Sequence, residues 1–552
     1  MAAWILAPPI LRLRAMSPLL PHLTKSWWLA ALGGACLGFA SSRSWLWPLA
    51  ILGAAIWTRA LAISWHRTME SFGLVLVGSL SMHACAVSWI FNGLSRNGGN
   101  SPSTVALLAV LFFGGLATLH AICFGIARVL IKSRGLRNER GAFVLVCLVA
   151  WSANEWARQS GQFAFPYLQL ATMLIDAPGT TGWLPVIGAE GLSVLVLAPL
   201  AWGSGSVLAT DTRHRSGRDW RKVLYALSML ALAGIALREI DWTHATAGER
   251  QRVFGMQSNF TRASKWTDAS RAHAFEWVRR VARSAPAGAV LITPEFFLFD
   301  PVQLTPAKEL EALQDLARQQ NVELLIGVPY AVKPFPVEIQ TPERPGPQFQ
   351  VFNSVMQLSP YREDLYGKGR LVPYGEYAPL ARWLAPIYRD VFDFPLNNLS
   401  PAPEQLQENL FVAGKVVGAS ICFELAFPHV MAQRALNAQW LFTVTNNGWF
   451  DSDVLNAQTH IIARVRAAET GKMLLAVNNV GITALHGAEG QVVSELAPHK
   501  EDILVADLVP YVGSTPYVQL SSRLPGASNS LAVLFVFAVL RKRVTHQKPT
   551  AA

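Results

Sequence analysis

Charge is the scarcest ingredient of this chain. Asp, Glu, Lys and Arg make up 15% of its 552 residues and 51% are hydrophobic, whereas a soluble globular domain carries about 25% charged residues. An ordinary soluble protein is therefore excluded. Cysteine is scarce too, five in all, and there is no CxxC pair, no HExxH run and no GxxxxGK[ST] loop. That excludes a disulfide-stapled fold, the common zinc motifs and a P-loop nucleotide site, and neither a metal nor another cofactor is expected. The formal net charge of +11 would suit nucleic acid only if the basic residues formed a patch of their own. They cluster beside apolar runs instead, so no nucleic-acid partner is expected.

Long apolar runs are what the chain has in place of charge. Stretches near the ~20 residues that a helix needs to cross hydrocarbon are expected at 27–40, 46–63, 72–90, 104–126, 143–156, 184–208, 223–237 and 524–540, about eight spans in all. Arg12, Arg14 and Lys25 precede the first span, but no small-residue cleavage site follows a clear apolar core, so a removable signal peptide is not expected. Arg128, Lys132, Arg134, Arg137 and Arg140 follow the fourth span, Arg213, Arg215, Arg218, Arg221 and Lys222 the sixth, and Arg541, Lys542 and Arg543 the last. The alternate loops hold little more than Arg43, Arg96 and Arg158. By the positive-inside rule both termini face the cytoplasm and the segment from about Arg238 to Arg523 lies on the far side, as in a bacterial periplasm.

The chain accordingly divides into a bundle of about seven spans over 1–240, an outer domain over 250–510, and a last transmembrane helix with a basic tail over 520–552. In the outer domain, strand-like runs at 288–293, 322–328, 350–358, 416–422, 441–445 and 473–477 alternate with amphipathic stretches at 268–284, 306–320, 428–436 and 458–470. Such alternation predicts a layered α/β domain with its chemistry at strand ends.

Cys422 is the one cysteine outside the apolar spans. Taken alone it is either a small buried hydrophobe or a nucleophile. Two other strand ends carry chemistry: Glu295 follows Thr293-Pro294, and Lys368 stands in Tyr366-Gly367-Lys368-Gly369-Arg370. A thiol with an ordinary pKa near ~8.5 is mostly protonated at neutral pH and needs a base to attack a carbonyl. Glu295 can take that proton, and Lys368 with a backbone N–H can face the resulting oxyanion. An acyl thioester on Cys422 would be the outcome.

The ordered set Thr293-Pro294-Glu295, then Tyr366-Gly367-Lys368-Gly369-Arg370-Leu371-Val372-Pro373-Tyr374-Gly375-Glu376, then Cys422-Phe423-Glu424 resembles the Glu-Lys-Cys triad of the nitrilase, or carbon-nitrogen hydrolase, superfamily. With several spans before the domain and one after it, the whole chain is similar to the bacterial apolipoprotein N-acyltransferase family. That resemblance implies a polytopic α-helical membrane protein with an inserted nitrilase-like αββα sandwich. It implies acyl transfer from a phospholipid, phosphatidylethanolamine, through the enzyme cysteine to the α-amine of the S-diacylglyceryl cysteine of apolipoproteins at the bacterial inner membrane. It implies Glu295 as base, Lys368 as oxyanion partner and Cys422 as nucleophile, with Glu376 and Glu424 as supporting carboxylates. Trp266 matches a family tryptophan near the substrate entrance, Trp449 and Phe450 match a mobile loop, and Phe423 stands where a tyrosine is common. A monomer in contact with membrane lipid is expected.

Two other functions stay open, a membrane-tethered amidase or nitrilase acting on a small C–N substrate, and a transporter or receptor with a catalytically silent outer domain. Apolar residues at spacings of three and four over 377–394 predict a helix, packed on the core or lying in the outer leaflet. Glu155 and Arg158, one helical turn apart, are expected as an interfacial ion pair, and His83 and His120 as histidines satisfied within the bundle.

Overall fold

The computed structural model describes residues 20–98, 101–133, 138–208, 218–261, 265, 267–332, 350–390 and 399–545. The first seven expected spans fall in helices: α1 (Leu20–Ala40), α2 (Trp47–Ile63), α3 (Thr68–Ala86), then past the short α4 (Ile90–Gly98) come α5 (Pro102–Lys132), α6 (Glu139–Ala157), α7 (Thr180–Ser204) and α8 (Arg218–Leu237). Among the described residues, five helices are long and apolar enough to cross a membrane, namely α2, α3, α5, α7 and α8. Small residues let them approach closely. A Cβ on Gly34 of α1 would stand 2.0 Å from the carbonyl oxygen of Gly78 in α3, so only glycine allows that crossing. At the basic end Arg128 lies over the Trp65 ring at 4.1 Å and Arg140 over Trp202 at 4.0 Å, while Arg134, Arg137, Arg213 and Arg215 lie outside the described residues.

Glu155 and Arg158 depart from expectation. Both are buried, and they do not pair. Glu155 accepts from the Trp151 indole at 2.7 Å and from Leu170 N at 3.1 Å, while Arg158 donates to the carbonyls of Tyr167 and Leu168. The loop after α6 folds back over the helix end and offers those backbone groups, which an isolated helix cannot supply. His83 meets the carbonyl of Ser79 through Nδ1 at 2.7 Å, and His120 stands edge-on to Trp57 and Trp151.

Beyond α8 the chain builds two six-stranded sheets. A strand β1 (Thr243–Ala245) precedes β2 (Gln251–Gln257), α9 (Asp268–Ser284), β3 (Val290–Ile292), α10 (Ala307–Gln320), β4 (Glu323–Val332), β5 (Gln350–Leu358), β6 (Glu363–Gly367) and α11 (Ala381–Asp390). Next come β7 (Leu410–Val412), β8 (Lys415–Ile421), α12 (Pro428–Ala435), β9 (Trp440–Thr445), α13 (Asp453–Thr470), β10 (Leu474–Asn478), β11 (Ala484–His486), β12 (Val492–Glu495), β13 (Asp502–Leu508) and β14 (Tyr511–Gly513). The chain closes with α14 (Pro516–Ser521) and α15 (Ala527–Thr545), which holds the last expected span from residue 527 on.

One sheet runs β13-β2-β3-β4-β5-β6 and the other β12-β11-β10-β9-β8-β7. Their inner faces share a core that includes Ile292, Leu325 and Val355 from the first and Ile421, Phe442 and Val477 from the second. On the outer face of the first sheet Phe275, Trp277 and Val278 of α9 and Leu313 and Ala317 of α10 bury a second apolar layer. Apolar residues of α12 and α13 cover the other sheet and continue into the bundle core. The result is an α/β sandwich of four layers beside a membrane bundle, and burial on both faces is why its central strands read as unbroken apolar runs.

Bundle and sandwich are joined through α13. Gln458 accepts from the Trp89 indole at 3.0 Å and donates to Ser41 and to the Ala86 carbonyl. A break in α7 at Gly188, with φ 65°, frees the N–H of Ala189, and Glu469 accepts it at 2.7 Å. Arg466 pairs with Glu469 and donates to Gln169. Within the expected 377–394 helix, α11 leaves Trp383 72% exposed, off the core and beneath the Arg382 guanidinium at 5.4 Å; residues 391–398 lie outside the described ones.

Candidate active site

Three strands deliver the three expected groups at their C-terminal ends: β3 leads to Glu295, β6 to Lys368 and β8 to Cys422. The β3 exit is held by Thr293, whose Oγ1 accepts from Gly327 N at 2.9 Å. A Cβ at Gly327 would lie 2.0 Å from the Pro294 carbonyl, so glycine is required for this approach. Lys368 N donates to the Asn353 carbonyl at 2.8 Å, extending the pairing between β5 and β6 by one residue. Cys422 has φ 54°, in the left-handed region, which turns the chain out of β8 and into a short 3-10 turn, Cys422–Ala426. A non-glycine residue there costs about 1 kcal/mol or more, and the surrounding contacts must hold it.

Glu424 supplies that hold. Fully buried, its carboxylate accepts from Ile421 N at 2.9 Å, Gly369 N at 2.8 Å, Arg370 N at 3.2 Å and the Tyr366 hydroxyl at 2.8 Å. It ties the nucleophile turn to the segment bearing Lys368 and touches neither reacting group. Glu376 is different. Its Oε1 accepts from the Lys368 ammonium at 2.9 Å and from Asn353 at 3.1 Å, and its Oε2 from Val372 N at 2.7 Å. Glu295 shares the same donors, with Oε1 3.2 Å from Lys368 and 2.6 Å from Asn353, and its Oε2 accepts from Asn446 N at 2.8 Å. A carboxylate offers about four acceptor positions, so Oε2 keeps one for a further donor.

The electrostatics follow from this packing. Burial, then the charge of Glu295 and a hydrogen bond to it, hold the Cys422 thiol well above its ordinary pKa, with Lys368 pulling the other way. Burial alone would lower Lys368, but Glu295 and Glu376, with Cys422 behind them, keep it well above the usual lysine value. Burial and Glu295 thus favour the neutral form of the thiol, while the Lys368 side chain sits between Glu295 and Glu376 at 3.2 and 2.9 Å and is held in its charged form. Such an arrangement disfavours a stored thiolate and leaves Glu295 in reach of the thiol proton. Glu295→Gln removes the charge and turns one acceptor oxygen into an amide donor, so Cys422 should react with iodoacetamide faster in that variant than in the parent at pH 7–8, even as acyl transfer is lost. Equal alkylation rates, read by mass spectrometry, would refute this coupling.

Other expected residues gather around this center. The Phe423 ring stacks on Tyr167 at 6.2 Å and meets Phe427 edge-on at 5.1 Å, so it packs the turn against the bundle. Phe450 stands edge-on to Trp89 at 4.8 Å, and Trp449 shares its loop with Asn446, whose side chain accepts from Gly448 N and from Asn479. Trp266 lies outside the described residues. Asn353, Asn446, Tyr366 and Lys265 were not singled out from sequence. For Asn353 a signal existed, an amide between the apolar residues Phe352 and Val355 of an expected strand, which burial makes costly unless it is bonded.

The carbon-nitrogen hydrolase family model matches residues 252–517, and the model of the apolipoprotein N-acyltransferase N-terminal domain matches residues 33–201. An apolipoprotein N-acyltransferase of Nitrosomonas europaea is 28% identical over 91% of this chain and 95% of its own length. One of Haemophilus ducreyi is 29% identical over 95% and 97%, and one of Vibrio parahaemolyticus 26% over 91% and 95%.

Proposed function

Since the chain belongs to the apolipoprotein N-acyltransferase family, we propose that it transfers an acyl chain from a membrane phospholipid to the α-amine of an S-diacylglyceryl cysteine through a thioester on Cys422. The observation that carries this reading is a buried Glu295–Lys368 pair, 3.2 Å apart, set against the Cys422 thiol on a turn whose Phe423 packs on Tyr167 of the membrane bundle. In the first half-reaction Cys422 gives its proton to Glu295 and attacks the ester carbonyl. The oxyanion faces the Lys368 ammonium, which Glu376 keeps charged and oriented. Collapse breaks the ester C–O bond, the departing glycerol oxygen takes the proton from Glu295, and lysophospholipid leaves. In the second, the amine attacks the thioester, Glu295 takes its proton, and the sulfur leaves as the thiol after recovering that proton. Cys422 thereby returns to its resting state.

Phosphatidylethanolamine is the proposed donor and a monomer the proposed state, and the bias of basic residues toward one side supports a periplasmic sandwich. The test is incubation of the detergent-solubilised enzyme with labelled phosphatidylethanolamine, followed by mass spectrometry of the Cys422 peptide. An acyl adduct discharged by a diacylglyceryl-cysteine peptide is expected. No adduct, or discharge to water alone, would overturn the reading, and the latter would favour a membrane-tethered hydrolase.

A further inference from the structure

One cation at this site has no task in the mechanism above. Lys265 is only 4% exposed, and its ammonium has no hydrogen-bond partner among the described residues. The rings of Trp449, Phe296 and Phe299 surround it at 5.6, 5.7 and 5.7 Å. Aromatic faces favour a cation, yet they leave three N–H donors unmet, and a buried ammonium without an acceptor is costly. Glu295 is near enough to hold charge on it, against burial that brings its pKa down to about 8, so the group is still mainly cationic at neutral pH. No hydrogen bond joins the two groups; the Glu295 oxygens take Lys368, Asn353 and Asn446 N. The backbone of Lys265 is anchored, its N–H donating to the Thr261 carbonyl at 2.9 Å. The side chain is thus held beside the reacting carboxylate with its donors open.

We propose that Lys265 binds the phosphodiester of the acyl donor and so places the donor's ester over Cys422. This rests on the function proposed above. Of the two substrates, the phospholipid brings an anion in fixed relation to the reacting carbonyl, since only the glycerol backbone separates phosphate from ester. The attacking diacylglyceryl cysteine presents an amine at that point. A phosphate would give Lys265 the charge-assisted bonds it lacks, while the three rings keep the ammonium aimed before the lipid arrives.

The test uses full-length enzyme in mixed micelles and follows thioester formation on Cys422 with two donors, phosphatidylethanolamine and an uncharged fatty-acid p-nitrophenyl ester. Lys265→Met should raise the apparent KM for phosphatidylethanolamine about tenfold or more, with kcat within about twofold, and leave the uncharged donor unaffected. Lys265→Arg should stay near the parent with both donors. The unaffected rate with the uncharged ester also reports that the methionine variant is folded. Equal loss with both donors, or no loss with either, overturns the assignment. Parent enzyme that forms the thioester from the uncharged ester but not from phosphatidylethanolamine would overturn the proposed function itself, and this assignment with it.

Discussion

Replacing Lys368 with methionine is expected to slow thioester formation about a hundred- to a thousandfold and to destabilise the protein by roughly 3–5 kcal/mol. The two losses share one cause. The ammonium sits 3.2 Å from Glu295 and 2.9 Å from Glu376, and all three side chains are largely buried. Methionine fills the volume and removes the one cation that touches either carboxylate among the described residues, leaving two acids that share the single Asn353 amide. One of them must then take up a proton, so the folded-state pKa of the pair in the variant rises above the unfolded carboxylate value of about 4.3. By linkage, the deficit should be largest at neutral pH and shrink below about pH 5, where the proton is already present in the unfolded chain. The native pairing works in the opposite sense. Lys368 is held above its ordinary value, so its stabilising contribution is in place at neutral pH and is lost only as pH rises through that raised pKa. Denaturant midpoints at pH 5 and pH 7.5 for parent and variant check the linkage, and a deficit independent of pH would show that the methionine merely packs badly.

The three expected groups stood out in the sequence because each carries its own local signature. Glu295 is announced by the proline before it, Lys368 by flanking glycines and Cys422 by the apolar run of β8. What holds them was not legible, because it is long-range. Asn353 comes from β5, Asn446 from the end of β9 and Tyr366 from β6, and only pairing of the strands brings them to the carboxylates. Glu376 and Glu424 looked alike as supporting acids, yet one bonds the ammonium and the other bonds backbone.

The fold shows the same division. Central strands such as 350–358 were placed from the sequence, whereas the interior strands β2 and β11 and the edge strands β6, β12 and β13 were not anticipated. β6 and β13 begin with acidic residues and lie at one edge or the other of their sheet, and β12 is an edge strand largely open to solvent. A strand half in water carries charge on its open side and lacks the continuous apolar run. The Glu155 and Arg158 expectation failed for a related reason, since helical spacing says nothing about a loop that returns to cap the helix with its carbonyls.

Cys422→Ser is expected to leave the fold intact and to lower acyl transfer by at least about 10⁴-fold, a barrier increase of roughly 5.5 kcal/mol. Size is not the reason, because serine fits where cysteine does and inherits the same positive φ of 54°. The difference is the proton. Even held above its ordinary value, a thiol remains a far stronger acid than an alcohol, and Glu295 is the carboxylate whose hydrogen bond reaches it. A carboxylate can accept a thiol proton as sulfur bonds to carbon, whereas an alkoxide formed against the same carboxylate lies too high in energy, and the imidazole that serine hydrolases use for this step is missing from the contacts of Glu295 and Lys368 among the described residues. The leaving step discriminates as well. Discharge to an amine requires the enzyme atom to depart from the tetrahedral intermediate, and sulfur departs more readily than oxygen. Any acyl group that did reach the substituted hydroxyl would therefore persist as an oxygen ester. Single-turnover assays with labelled phospholipid separate the two effects: no adduct means that attack has failed, and an adduct stable to added diacylglyceryl-cysteine peptide means that departure has failed. A serine variant that both loads and discharges within tenfold of the parent would remove the thioester, and with it the pairing of Glu295 with Cys422, from the account of this site.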